Sequence, residues 1–218
     1  MVALSVVVAG TIGSYGDLLN KVGLWLDRGD LDDRIPDFVA LLEARLNREL
    51  RAVNMETRTT FTTGDASYDL PEGFRSLRKI FVDGSPQTPL KAISPANVAW
   101  QYNGEAGIPQ AYFIENRTLT FRPVPASDTT FAMTYLTRLV PLTSENDSNW
   151  LLEEHPDIYL TGTLLEAAIY IRDEDAISFL APSLDSKIAS LQRESRLDRW
   201  GSGPLVPNGA VQTRGGLC

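Results

Sequence analysis

Apolar residues recur at helical steps near both ends of the chain and alternate with polar ones in its middle. From Tyr15 to Arg28 the residues Leu18, Leu19, Val22, Trp25 and Leu26 share one stripe, which predicts a short amphipathic helix stopped at Gly29. After the acidic link Asp30 to Asp33, a second series runs through Ile35, Phe38, Val39, Leu42, Leu46, Leu50 and Val53. It predicts a helix of about five turns, with Pro36 acceptable only because it falls in the first turn. Arg45, Arg48 and Arg51 lie on the other face, interleaved with Glu49, and read either as a solvated face or as a contact with an acidic partner.

The period changes at Asn54. Short Thr-rich and aromatic stretches, "METRTTFTT", "RKIFVDGSPQTPLKAI", "AYFIENRTLTFRPVP" and "FAMTYLTRLV", are separated by Gly, Pro, Asp and Asn, the signature of a small antiparallel β module. Hairpin turns are expected at Asp83-Gly84 and Glu115-Asn116, and a one- or two-turn helix in "SPANVAW" from Ser94. Pro123 and Pro125 are expected to end the strand stretch from Tyr112 to Phe121. Beyond Pro141 the helical period returns. Pro156 and Asp157 mark a helix start, and Ile158 to Ile171 is apolar nearly all round, which predicts burial. The triplet Asp173 to Asp175 breaks it. Ala176 to Trp200 forms a last amphipathic helix that Pro182 must kink or restart. Trp150, Leu151, Leu152, Tyr159, Leu160 and Leu164 are the expected core of this half.

The resulting organisation is α+β: a discontinuous bundle of about four helices, residues 14–53 and 143–200, with a β-rich insert at 54–142, an apolar arm at 1–13 and an extended tail at 201–218. The tail holds too many Gly and Pro residues to fold alone.

Charge narrows the function classes. Residues 1–53 carry 6 basic and 8 acidic side chains, 54–142 carry 8 and 8, and 143–200 carry 5 and 12, so the net charge of -8 belongs mainly to the second helical half. Such a surface repels phosphate backbones and argues against tight nucleic-acid binding. The only cysteine is Cys218, so no disulfide framework or thiolate metal site can form within the chain. The apolar start is too short to span a membrane and lacks the basic region of a signal peptide.

Candidate chemistry is thin. His155 stands beside Glu153, Glu154 and Asp157, but the helical zinc motif needs two histidines and the chain has one. Asp173 to Asp175 reads as a cap or surface link before a cation site. Phosphate-binding, dinucleotide and serine-elbow motifs are missing, and no metal or cofactor is expected. Two carboxylates suffice for glycoside hydrolysis, so a cell-wall hydrolase using Glu153 or Glu154 with Asp157 is the enzymatic alternative.

The segment "NWLLEEHPDIYLTGTLLEAA" resembles the hallmark of tailed-bacteriophage head-to-tail adaptor proteins, also called head-completion or connector proteins: Asn-Trp-Leu-Leu at Asn149 to Leu152, Pro-Asp-x-Tyr-Leu at Pro156 to Leu160, and Glu-Ala-Ala at Glu166 to Ala168. "RIPDFVALLEARLNRELRAVNMETR", "YDLPEGFRSLRKI", "GIPQAYFIENRTLTFRPVP" and "GSGPLV" match in the same order, so the likeness covers about residues 11 to 206. The apolar first ten residues, Thr161 and Pro182 depart from the pattern. The resemblance implies a virion protein without catalysis, made in the bacterial cytoplasm. It would form a dodecameric ring beneath the portal protein, extend the DNA channel and present a platform for a tail or nozzle protein, with no membrane contact. Other neck roles, stopper or tail terminator, are the structural alternatives. Within this reading, Trp200 anchors the tail, Leu205, Val206, Val211 and Leu217 lie in a groove of the portal or a neighbouring adaptor, and Arg45, Arg48 and Arg51 form the subunit or partner contact.

Overall fold

The computed structural model describes residues 12–84, 87–97 and 106–200. Contacts divide the chain into two compact units: Asn54–Pro141, and a second that takes in the described residues before and after it.

The helical unit begins with α1 (Tyr15–Leu26), capped by Ser14, whose hydroxyl accepts the Asp17 N–H at 3.1 Å. The helix stops earlier than the glycine signal suggests. Asp27 takes the left-handed conformation (φ 48°, ψ 38°) and donates its N–H to the Gly23 carbonyl, so Gly29 instead opens a 3-10 turn, Gly29–Arg34. Helix α2 (Ile35–Glu49) follows with Pro36 in its first turn, and extended backbone at Leu50 ends it short of Val53. After the insert come α3 (Trp150–Glu154), α4 (Pro156–Ile171) and α5 (Glu174–Trp200). Helix α4 is central and packs against the other four. Its burial ends at Ala168, and Ile169, Tyr170 and Ile171 are exposed, so the all-round apolar pattern overstates the burial of its last turn. Helix α5 runs through Pro182 without a restart.

Trp25 is a further departure. Leu18 and Val22 of its stripe are fully buried, but Trp25, one turn on, is 65% exposed. Nothing among the described residues covers that rung. Inside the unit, the Thr163 hydroxyl is buried without a hydrogen-bond partner among the described residues. Thr163→Val removes that desolvated hydroxyl at nearly constant volume and is expected to raise the unfolding free energy by about 1 kcal/mol in urea titration; an unchanged or lower value would mean that the hydroxyl is satisfied in solution.

The other unit holds ten strands among its described residues: β1 (Glu56–Thr63), β2 (Ser67–Asp69), β3 (Phe74–Val82), β4 (Thr88–Pro89), β5 (Lys91–Ala92), β6 (Ala106–Gly107), β7 (Ala111–Glu115), β8 (Thr118–Arg122), β9 (Val124–Pro125) and β10 (Thr129–Thr137). They form sheets of order β1-β10-β3-β4 and β2-β8-β7-β5 and a small pair β6-β9. Pairing is antiparallel except at β5-β7 and β6-β9, where the expectation of a wholly antiparallel module fails for two-residue contacts. The stretch from Tyr112 to Phe121 is the β7-β8 hairpin. Its turn is Asn116-Arg117, one residue beyond the expected pair, with positive φ at both positions (48° and 65°) as a type I′ turn requires. Pro123 follows β8 directly, whereas Pro125 lies inside β9. Asp83 and Gly84 begin the β3-β4 connection, and the short helix from Ser94 is a 3-10 turn at Pro95–Asn97, with Val98 to Trp100 outside the described residues. Aromatic rings join the two larger sheets: Phe121 of β8 stacks on Phe131 of β10 at 4.3 Å, and Phe61 of β1 on Tyr68 of β2 at 3.7 Å.

Candidate functional site

The residues that carry the sequence resemblance meet inside the helical unit. Asn149 is the N-cap of α3: its side-chain oxygen accepts the Leu152 N–H at 3.0 Å, and its amide nitrogen donates to the Tyr159 hydroxyl at 2.7 Å. Tyr159, fully buried on α4, donates in turn to Glu43 Oε1 at 2.9 Å, and the same oxygen accepts the Leu142 N–H at 2.9 Å. One network therefore ties α2, the re-entry of the chain at Leu142, α3 and α4. Each group in it has a partner, which is the condition for a polar cluster to sit in a core. Burial pushes the Glu43 carboxyl above its ordinary range, opposed by the Leu142 N–H and the Tyr159 hydroxyl. Burial, and then the charge of Glu43, push the Tyr159 phenol far above its usual value, so it remains a donor.

Glu43 is absent from the sequence-based residues. It follows Leu42 and lies one turn after Val39, on the apolar face of α2, and a carboxylate on a core face was the available signal. Of the expected core, Leu151, Leu152, Tyr159 and Leu164 are buried. Trp150 and Leu160 are half-buried: Trp150 opens the short α3, and Leu160 lies one turn after the exposed Asp157 on α4.

A second cluster surrounds Arg45. Its guanidinium lies 3.2 Å from Glu49, 3.9 Å from Glu166 of α4 and 3.6 Å from Asp185 of α5. Burial raises the Glu166 carboxyl, opposed by Arg45 and Arg48. Arg45 thus holds three helices of its own chain together, while Arg51 donates to the Arg48 and Leu50 carbonyls and is exposed. The acids of the enzymatic alternative also have structural partners: Glu153 accepts the Ser148 hydroxyl at 2.9 Å and Asp157 pairs with Lys187 at 2.8 Å. Asp173 caps α5 by accepting the Ala176 N–H at 3.0 Å. Trp200 is the last residue of α5, and Leu205, Val206, Val211 and Leu217 lie outside the described residues.

The arrangement is a scaffold locked by polar hubs. A family model described as SU10 adaptor protein matches residues 14–208, which takes in both helical stretches and the insert. The chain belongs to this family. It is a tailed-phage head-to-tail adaptor, a structural protein of the virion that works through contacts with other virion proteins such as portal and tail. No curated protein matches it. In this adaptor, no helix among the described residues is long and apolar enough to cross a membrane.

Proposed function

We propose that this adaptor forms a dodecameric ring beneath the portal, extends the DNA channel and offers the platform on which the next tail component seats. The family match over 14–208 carries this reading. Charge supports it: the second helical half holds 12 acids against 5 bases, a wall suited to passing DNA without retaining it. The tail from Gly201 to Cys218 supplies the portal contact, with Leu205, Val206, Val211 and Leu217 as its apolar points and Trp200 as the anchor before it. Ordering so glycine-rich a tail requires partner contacts, so the free protein is a monomer or small oligomer and the ring closes on the portal.

Purified adaptor mixed with DNA-filled, portal-bearing heads tests this reading. Ring density of twelve-fold symmetry below the portal is the expected result, and heads that sediment without the adaptor would overturn it. A chain ending at Trp200 is expected to melt like the full protein and to lose attachment at least tenfold. Undiminished attachment would exclude the tail as the portal contact.

A further inference from the structure

One end strand of the β unit is long and open. Of the four strands that end the two larger sheets, β2, β4 and β5 hold only three, two and two residues, and Pro89 blunts β4. Strand β1 holds eight. It contains no Pro or Gly, its register with β10 is unbroken from Glu56 to Thr63, and its two charges, Glu56 and Arg58, lie at its start. On the side away from β10, residues 57–63 make no backbone hydrogen bond among the described residues. Such an edge is a template for one more strand.

A run of eight residues elsewhere in the chain has the matching length and pattern. Residues 2–9 read VALSVVVA, with four Val and without charge, Pro or Gly. Val2, Leu4, Val6 and Val8 are large and apolar, whereas of the alternate residues Ala3, Ser5 and Ala9 are small. The two faces of β1 differ in the same way: Thr59, Phe61 and Thr63 are half-buried, with Phe61 packed on the core of the β unit, while Thr60 and Thr62 are exposed. Where the chain leaves these residues also fits. Ile12 is buried, and Tyr15 donates its N–H to the carbonyl of Asp147, five residues beyond Leu142, where the chain returns from the β unit. The outgoing connection lies beside the returning one, since the Thr137 hydroxyl donates to the Met55 carbonyl at 3.1 Å. The first residues therefore join the helical unit next to the connection from which β1 departs.

We infer that residues 2–9 pair with the outer edge of β1 in the same chain, as a fifth strand of that sheet. The arm runs towards the connection and β1 away from it, so the pairing is antiparallel. Residues directly opposite in an antiparallel pair share a face. With Leu4 opposite Phe61, Val6 stands beside Thr59 and Val2 beside Thr63, and the large side chains extend the apolar face on which Phe61 lies. A slip of one residue would turn all of them to the exposed threonine face. The arm thereby seals an edge that would otherwise join two copies sheet to sheet.

The test uses the full chain with Cys218→Ser, treated with a short bismaleimide. Ser5→Cys with Thr60→Cys places two thiols side by side on the exposed face, and a link within a band of monomer size is expected. Moving the first cysteine to Val6, which faces the other way, is expected to slow linking at least tenfold. Equal rates, or no link in either variant, would overturn the pairing. Linked dimers, from this pair or from Thr60→Cys alone, would put a second copy on the edge and overturn it too. Amide hydrogen exchange supplies a measurement without cysteines. In a chain lacking residues 2–9, every other amide of β1 is expected to exchange at least tenfold faster than in the full chain, while β10 and β3 keep their rates. Unchanged rates in β1 would mean that these residues do not cover its edge.

Discussion

Glu43→Ala is expected to lower the unfolding free energy by about 2–3 kcal/mol, since it leaves two buried donors, the Leu142 N–H and the Tyr159 hydroxyl, without an acceptor. Relief of the buried carboxylate offsets part of the loss. Glu43→Gln keeps an oxygen at the same place, so it should cost much less, and the pH dependence separates the two effects. The carboxyl is raised in the folded protein, so between the unfolded and folded values the native state binds the extra proton. Its contribution is therefore fully present below the unfolded carboxylate range and is lost as pH rises through the folded value. Urea titrations from acid to neutral pH should show the wild type losing stability relative to Glu43→Gln as pH rises. A constant difference would mean that Glu43 is not desolvated.

Much of the helical unit was legible because its stripes are long and its breaks are marked by Pro, Asp and Gly. The Leu18–Val22 rungs, the α2 series from Ile35 to Leu50 and the start of α4 at Pro156 all follow from periodicity and capping. What escaped lay in tertiary context. Periodicity places Trp25 on the same stripe as Val22, but whether a stripe is covered depends on where its neighbours end. The hub escaped for a different reason. Asn149 and Tyr159 stand out as parts of a motif, whereas Glu43 is distant in sequence and looks like one more acid among 28. In the β unit, alternation found the strands but not their partners: two-residue strands such as β5 and β9 carry too few residues to reveal parallel pairing. The turn residues erred by one position because both Glu115-Asn116 and Asn116-Arg117 contain the Asn that a left-handed turn prefers.

Gly162→Val is expected to cost about 3 kcal/mol, near the upper end for overpacking a core, although valine favours the helix more than glycine does. The reason is the approach of α2 to α4. A Cβ at Gly162 would stand 2.7 Å from Leu42 Cδ2 and 3.1 Å from Leu42 Cγ, and Leu42 is fully buried with nowhere open to turn. Either α2 retreats, stretching the Tyr159–Glu43 hydrogen bond one turn away, or Leu42 leaves its rotamer. Leu42→Ala alone should cost about 3 kcal/mol through the cavity it opens. Combined, the changes compensate, since the methyl groups of the introduced valine fill the space that the Leu42 side chain vacates. The double variant should therefore lose at least about 1 kcal/mol less than the sum of the singles in urea titration. Strict additivity would mean that these two residues do not meet, and it would remove the contact on which the position of α2 against α4, and with it the buried Glu43 hub, depends.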